Sequence, residues 1–381
     1  MQDYQLIFHE KASYNVRTKT FSKKQSLLFA ALNVFVEGGL TMVSMKDIAA
    51  RCGVSVATVS KALNGYSDIG QKKRDEICEV AKELGYFPNS SARALKTNRT
   101  YDLGILFSDN LHSGLTHDYF AAILDSFKVT AEEKGYDITF TSMNMVANRR
   151  MSYYEHCRYR GLDGVVIANI DFTTPEVLEL VRSSLPVVTI DYTFDGRIAV
   201  VSDNVKGMRD LVDYVCSMGH KKIAYIHGDD NSVTRDRVSS FHRALYQHGI
   251  SIPDSYILKS RYRDGETTMH RMEELLALED RPTCVFTPDD FSAVGAYHAV
   301  QEAGLRVPDD ISIVGYDGIP MSQALFPKLT TLRQNTKQIG KDAAEELIAL
   351  IETPKTTLIE KRLIEGELLE GGSVLRLQTQ L

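Results

Sequence analysis

The sequence predicts an all-α helix-turn-helix head joined to an α/β body of two doubly wound, parallel-sheet lobes. Two short helical patterns separated by a Gly-containing turn begin after residue 44, which is the layout of a helix-turn-helix. From residue 101 onward, near-continuous apolar runs alternate with helix-length segments, as expected of parallel sheets covered on both faces. The length of 381 residues is about twice the 100–200 of a usual domain, so two or three domains are expected.

In the head, Ser44-Met45-Lys46-Asp47 reads as a capping arrangement. The Ser44 hydroxyl is expected to accept a backbone N–H, with Asp47 three residues on near the positive helix end. The first helix runs to about Cys52 and stops at Gly53. Ser55 caps a second helix, Val56–Leu63, with Val59, Ala62 and Leu63 turned to a small core and Asn64-Gly65 ending it. A third helix over Gln71–Leu84 carries Ile77, Val80, Ala81 and Leu84 at the spacing of one buried stripe. Gly85-Tyr86-Phe87-Pro88 breaks it, and Asn89 caps a fourth short helix, Ser90–Lys96.

In the body, strands are expected at Leu103–Phe107, Ile138–Thr141, Gly164–Ala168, Val187–Ile190, Ile223–His227, Thr283–Phe286 and Ile311–Gly315. Helices are expected near Tyr119–Lys134, Pro175–Ser183, Val205–Met218 and Phe291–Ala303. About 280 residues of this texture suit two subdomains better than one. Ligands in such sheets sit beyond the carboxyl ends of the strands.

Composition narrows the function classes. At 43% hydrophobic and 25% charged, the chain is not wholly disordered, collagen-like or membrane-embedded. A net charge of −6 by itself argues against nucleic acid, whose phosphates call for Lys and Arg. The average hides a division. Residues 1–100 hold 15 Lys and Arg against 9 Asp and Glu, whereas residues 101–381 hold 29 against 41. A basic head and an acidic body meet different partners. Five scattered cysteines without a C-x-x-C pair suggest neither disulfides nor zinc and fit a reducing cytoplasm. Lys23-Lys24 followed by Ser26–Val36 is too short to span a bilayer, and Glu37-Gly38-Gly39 is a poor cleavage site for a signal peptide. Residues 1–43 are read as an N-terminal extension, with Met42 and Met45 both plausible starts.

The second helix of a helix-turn-helix lies in the major groove, with its first residues at base edges. Val56 and Ala57 suit a thymine methyl, and Lys61 suits guanine O6 or N7. Ser55, Thr58 and Ser60 offer hydroxyls to phosphates. A three-helix bundle that binds protein is the alternative on spacing alone. The runs MKDIAARCGVSVATVSKALNG at 45–65 and KKRDEICEVAKELGYFPNSSARAL at 72–95 resemble the DNA-binding head of the lactose-repressor (LacI/GalR) family of bacterial transcription regulators. That resemblance implies that Ser90–Lys96, with Asn89 before it, is a hinge helix that folds on DNA. Leu95 matches the leucine that wedges into the minor groove, and Ala92 lies on the same face; Lys96 completes the DNA-facing set. Such wedges unstack bases at a cost of a few kcal/mol per step, offset by bent DNA touching more protein.

The resemblance continues through MGHKKIAYIHG at 218–228, VPDDISIVGYDG at 307–318 and PKLTTLRQN at 327–335. It implies a periplasmic-binding-protein-like body closing on a small effector. Arg237, Asp191, Asp289 and Asp317 match the family's polar ligand contacts, and Tyr119 and Phe120 stand where it places ring-stacking or wall residues. A sugar needs such planar donors and acceptors with an aromatic face. The alternatives are that Arg237 pairs a carboxylate, Asp317 caps a turn, and Tyr119 and Phe120 are core. Departures from the family pattern are the longer loop Asn110–Phe120, Ser240 in place of Gly, and Glu370-Gly371-Gly372-Ser373 where Arg commonly precedes Ser.

The expected organisation is an extension at 1–43, a helix-turn-helix domain at 44–88, a hinge helix and linker at 89–100, and an effector-binding and dimerisation domain at 101–381. Lobe 1 spans about 101–203 and 335–362; lobe 2 spans about 204–334 and the C-terminal end. The tail after Ser373 is too short for a tetramerising coiled coil, so a homodimer on a near-palindromic operator is expected. No phosphate-loop, dinucleotide, zinc-protease or nucleophile-elbow motif is present. His112, His117 and Asp118 are read as a solvated polar loop rather than a metal site. The expected protein is a cytoplasmic, nucleoid-associated repressor of carbohydrate-use genes, not an enzyme, without cofactor or membrane partner. Its rival is a sugar-binding sensor or transport protein with no DNA role.

Overall fold

A computed structural model describes residues 43–63, 65–87, 94, 99–108, 114–143, 145–146 and 149–377. The chain divides into two compact units between Ala92 and Arg93. The extension up to residue 42 and Asn89, Ala92, Leu95 and Lys96, expected in a hinge helix, lie outside the described residues.

The first unit holds α1 (Met45–Cys52), α2 (Val56–Leu63) and α3 (Gln71–Glu83). Ser44 caps α1 in a capping box with Asp47, as expected. Its hydroxyl donates to the Asp47 carboxylate at 2.7 Å, which also accepts the Ser44 N–H at 2.8 Å; the Ser44 hydroxyl bond chiefly holds the Asp47 carboxyl below its ordinary pKa. Gly53 ends α1 in the left-handed conformation at φ 63°, where a Cβ is disfavoured. Ile48, Ala49, Val59, Ala62, Ile77 and Ala81 form the buried core, with Leu63, Val80 and Leu84 packed against it. A bundle this small leaves its outer positions half covered.

In the second unit, β1 (Asp102–Phe107) leads to α4 (Asp118–Glu133) and β2 (Asp137–Thr141). A short ladder of β3 (Met145–Val146) and β4 (Arg149–Arg150) precedes α5 (Tyr153–Arg160), β5 (Gly164–Ala168), α6 (Pro175–Arg182), β6 (Val187–Ile190) and β7 (Ile198–Ser202). The chain then runs through α7 (Asn204–Ser217), β8 (Ile223–His227), α8 (Ser232–Gln247), β9 (Ile257–Lys259), α9 (Gly265–Leu276) and β10 (Cys284–Phe286). After these come α10 (Asp290–Glu302), β11 (Ser312–Asp317), α11 (Pro320–Ala324), β12 (Thr330–Arg333), α12 (Thr336–Glu352), β13 (Lys361–Ile364) and β14 (Glu367–Leu369).

Two six-stranded sheets result, in the orders β13-β7-β6-β5-β1-β2 and β14-β12-β11-β10-β8-β9. Every pairing in the first is parallel. The second is parallel except for β14, which runs antiparallel to β12. All residues of β5, β6 and β7 are buried, because helices cover both faces. The main chain passes from one sheet's lobe to the other after β7, after β12 and between β13 and β14.

Helix α12 returns to the first lobe, where Ile339, Ala343, Ala344 and Leu347 join Ile123 and Phe127 of α4 in one core. Gly340 makes that approach possible, since a Cβ there would sit 2.2 Å from the Ile123 carbonyl oxygen. In the second lobe the rings of Tyr225, Phe241 and Phe286 pack together, with Phe241 5.2 and 5.4 Å from the other two. Ser240 sits where the resemblance led one to expect Gly, and its hydroxyl donates to the Val205 carbonyl at 2.6 Å. Ser373 ties the chain end into the second sheet. It accepts the Thr330 N–H at 2.8 Å and donates to the Ile313 carbonyl at 2.6 Å.

Candidate functional site

Both sheets end, at their carboxyl edges, on one cavity of about 180 Å³ in the body. The sequence-selected Tyr119, Phe120, Asp191, Arg237, Asp289 and Asp317 all line it. First-lobe residues come from the start of α4 and the loop after β6. Second-lobe residues come from α8, the loop before α10 and the end of β11.

Arg237 is 3% exposed, held within a second-lobe frame. Its Nε donates to Asn204 Oδ1 at 2.8 Å and its Nη1 to the Pro288 carbonyl at 3.2 Å. The guanidinium carbon lies 3.5 Å from the centroid of the Tyr316 ring, a cation–π contact. Its Nη2 is 3.9 Å from Asp317 Oδ1. Fixed in this way, the fork keeps a donor directed at the cavity without the entropy cost of ordering a loose side chain. Asp317 Oδ1 also accepts from Gln334 Nε2 at 2.6 Å, and the Gln334 side-chain oxygen accepts from the Ser202 hydroxyl. This chain of bonds connects the two lobes beside the crossing after β12. Burial pushes the Asp317 carboxyl up to about 7, against the opposing pull of Arg237.

Asp191 accepts the Tyr119 hydroxyl at 2.7 Å and the Ser202 N–H at 3.2 Å. Burial raises its carboxyl above the ordinary value while the Tyr119 bond lowers it. Asp289 is differently occupied. Its Oδ1 caps α10 through the Ser292 N–H at 2.7 Å, and its Oδ2 accepts the Arg263 N–H at 2.7 Å and the Ser292 hydroxyl at 3.1 Å. Asp289 thus shapes the wall through its neighbours and has little capacity left for a ligand. Phe120 meets Tyr119 edge to face at 4.9 Å and His117 at 4.9 Å. His117 corrects the solvated-loop reading, because it is buried at the cavity against Phe120. His112 lies outside the described residues, and among the described residues no group of His, Cys, Asp and Glu forms a metal cluster.

Sequence reasoning missed other wall residues: Asn169, Phe172, Tyr192, Ser232, Tyr262, Arg263 and Gln334. Phe172 and Tyr192 stack at 4.4 Å with an interplanar angle of 11° and supply an aromatic wall. Asn169 Nδ2 is buried without a hydrogen-bond partner, a donor that a ligand can use. Asn169 directly follows the apolar strand β5, so the strand-end rule could have found it, whereas Gln334 follows β12, whose Thr-Thr-Leu-Arg gives no apolar run. Phe172, Tyr192 and Tyr262 sit in loops with no periodic signal. Asn169, Asp191, Arg263 and Asp317 share a backbone trait, with positive φ of 47°, 58°, 55° and 106°. Non-glycine residues rarely adopt it, and it gathers at ligand clamps where surrounding structure holds it in place.

In the first unit, Ser55, Val56 and Ala57 are exposed at the start of α2 and Lys61 in its last turn, while Thr58 and Ser60 are half-buried. The Ser55 hydroxyl accepts the Thr58 N–H at 3.1 Å and shares a 2.9 Å bond with the Thr58 hydroxyl, so both are occupied in capping. Lys61 Nζ pairs with Asp68 at 2.5 Å and must leave it to reach a base. No helix among the described residues is long and apolar enough to cross a membrane.

Residues 44–89 match the family profile described as bacterial regulatory proteins, lacI family, and residues 212–374 match that of a periplasmic binding protein-like domain. The chain is 32% identical over 342 residues to the "Probable HTH-type transcriptional repressor ExuR" of Bacillus subtilis (strain 168), covering 89% of this chain and 100% of that one. It is 31% identical over 316 residues to the ribose operon repressor of Haemophilus influenzae, covering 82% and 93%. Among solved structures, a complex of the transcriptional regulator CelR with cellobiose is similar at a TM-score of 0.62 and 25% identity, covering 87% and 99%. The Lac repressor dimer bound to operator and the anti-inducer ONPF shares the fold at a TM-score of 0.72 and 24% identity, with the same coverage.

Proposed function

The chain belongs to the LacI family of bacterial regulatory proteins, and on that premise we propose that it is a cytoplasmic repressor of carbohydrate-use genes controlled by a small sugar. It is a DNA-binding transcriptional regulator with a helix-turn-helix head and a two-lobed effector body; its relatives are transcriptional repressors rather than enzymes. The observation that carries the sugar reading is the body cavity. There Arg237, Asn169, Asp191 and Asp317 present donors and acceptors to a ring whose apolar face meets Phe172 and Tyr192. A hydroxyl both donates and accepts, so a polyol suits a wall that offers both.

Val56, Ala57 and Lys61 read base edges, and Ser55, Thr58 and Ser60 lie along the phosphates. Asn89, Ala92, Leu95 and Lys96 belong to a hinge helix that enters the minor groove. Two copies related by a two-fold axis read a near-palindromic operator. Effector closes the cleft, the lobes rotate, the hinge helices separate and operator affinity falls. This is a coupling between two sites that holds equally in both directions.

A thermal-shift screen of sugars against the full chain, followed by gel shifts on its own upstream DNA, tests the reading. Stabilisation by a sugar that also dissolves a specific band is expected. No specific band with or without sugars would overturn it. Leu95→Ala should weaken specific DNA binding and leave sugar binding intact; unchanged operator affinity would remove the minor-groove wedge.

A further inference from the structure

We propose that Arg263 and Asp118 form an interlobe latch that stabilises the closed form of the effector cleft. Arg263 lies in the second lobe, after β9, and Asp118 opens α4 in the first. The Arg263 Nη1 is 3.3 Å from Asp118 Oδ2, and its Nη2 donates to the Thr116 carbonyl at 3.4 Å. Neither segment belongs to one of the three interlobe crossings, so the contact joins the lobes where the covalent chain does not.

Arg263 is placed for this rather than left loose. Its backbone is held at a positive φ of 55° by the bond from its N–H to Asp289. Its guanidinium lies 4.7 Å from the centroid of the Phe291 ring, and its side chain is 11% exposed. Asp118 is 45% exposed and is not part of the cavity wall. Removing its charge therefore tests the latch without altering a ligand contact. The proposal rests on the body acting as a hinged two-lobed sensor, but its test needs no effector.

The experiment measures interlobe distance by pulsed electron spin resonance in the full chain. Nitroxides are placed at Tyr159→Cys and Tyr246→Cys, exposed positions on α5 and α8 of the two lobes. Cys52, Cys78 and Cys216 are replaced by Ala, and labelled chain is diluted with unlabelled chain. For a half-exposed pair, Asp118→Asn should raise the ratio of the longer to the shorter distance about two- to fivefold. Salt of about 0.5 M should move the parent the same way, by screening. Asp125→Asn, which removes a charge from the same helix away from Arg263, should leave the ratio unchanged. In an Arg263→Gln background, Asp118→Asn should add nothing. An unchanged ratio in Asp118→Asn, an equal response to Asp125→Asn, or additive effects in the double variant would each overturn the latch. If the ratio responds as stated while no sugar binds, the latch stands and the effector reading fails.

Discussion

Replacing Arg237 by Met keeps the side chain's bulk and removes its charge and donors. Two acceptors then lose their partner inside the body, the Asn204 Oδ1 at 2.8 Å and the Pro288 carbonyl at 3.2 Å. A buried acceptor left unsatisfied costs about 1–3 kcal/mol, so a loss of about 3 kcal/mol is expected at about pH 5, where Asp317 is protonated. At higher pH a further cost appears. The Asp317 carboxyl titrates at about 7 in the native chain, against about 3.9 when unfolded. A raised carboxyl means that the folded state holds the extra proton, so stability falls with rising pH between those two values. Without the Arg237 cation the carboxyl is raised above 7, and this decline continues where the parent has levelled off. Each pH unit adds about 1.4 kcal/mol, which brings the expected loss to about 4 kcal/mol at about pH 8. Urea unfolding of parent and variant at the two pH values measures both numbers. An equal loss at both would refute the pairing of Arg237 with Asp317, and a loss below about 1 kcal/mol would refute the whole frame.

Gly340→Ala should destabilise the body by about 2–3 kcal/mol, because its Cβ meets the α4 backbone at 2.2 Å and over-packing costs about that much; a thermal melt within 1–2 °C of the parent, by rough scaling, would contradict this. Gly53→Ala should weaken the head by about 1 kcal/mol through its left-handed backbone alone, since no atom lies within 4 Å of the new methyl; calorimetry should show the loss in the head's transition and none in the body's. His220 is buried, with Nε2 donating to the Leu375 carbonyl at 2.9 Å and Nδ1 paired with the Thr283 hydroxyl at 2.8 Å. Burial lowers its pKa. Its contribution to stability is therefore lost as pH falls below about 6.5, opposite in sign to that of Asp317. Ring-proton resonances should show His220 titrating below a histidine peptide, and a normal titration would contradict the burial.

Much of the architecture could be read from local pattern. The helix Val56–Leu63 and the strands Gly164–Ala168, Val187–Ile190 and Ile223–His227 were expected at the boundaries observed, because each is a short apolar period closed by a cap, a turn or a polar residue. The returning segments were harder to place. β13 and β14 are short and largely exposed, and only their pairing with β7 and β12 makes them strands. The six expected effector residues came from strand-end logic and family resemblance, and they share one cavity. What each does was not legible. Asp289 is consumed by capping α10 and holding Arg263, whereas Asp317 faces Arg237. Nothing in their identical residue type distinguishes them.

The sequence by itself determined the basic head, the alternating strands and helices of the body, and the residue types available at the strand ends. Hydrophobic period, caps and charge act over a few residues, so they are written locally. Only the tertiary structure decided which acids meet which cations. Phe172 was brought onto Tyr192 and Arg263 onto Asp118 by chain segments that pattern alone could not align. Those pairings depend on how two sheets built from distant segments close on each other, and side-chain chemistry does not encode that distance.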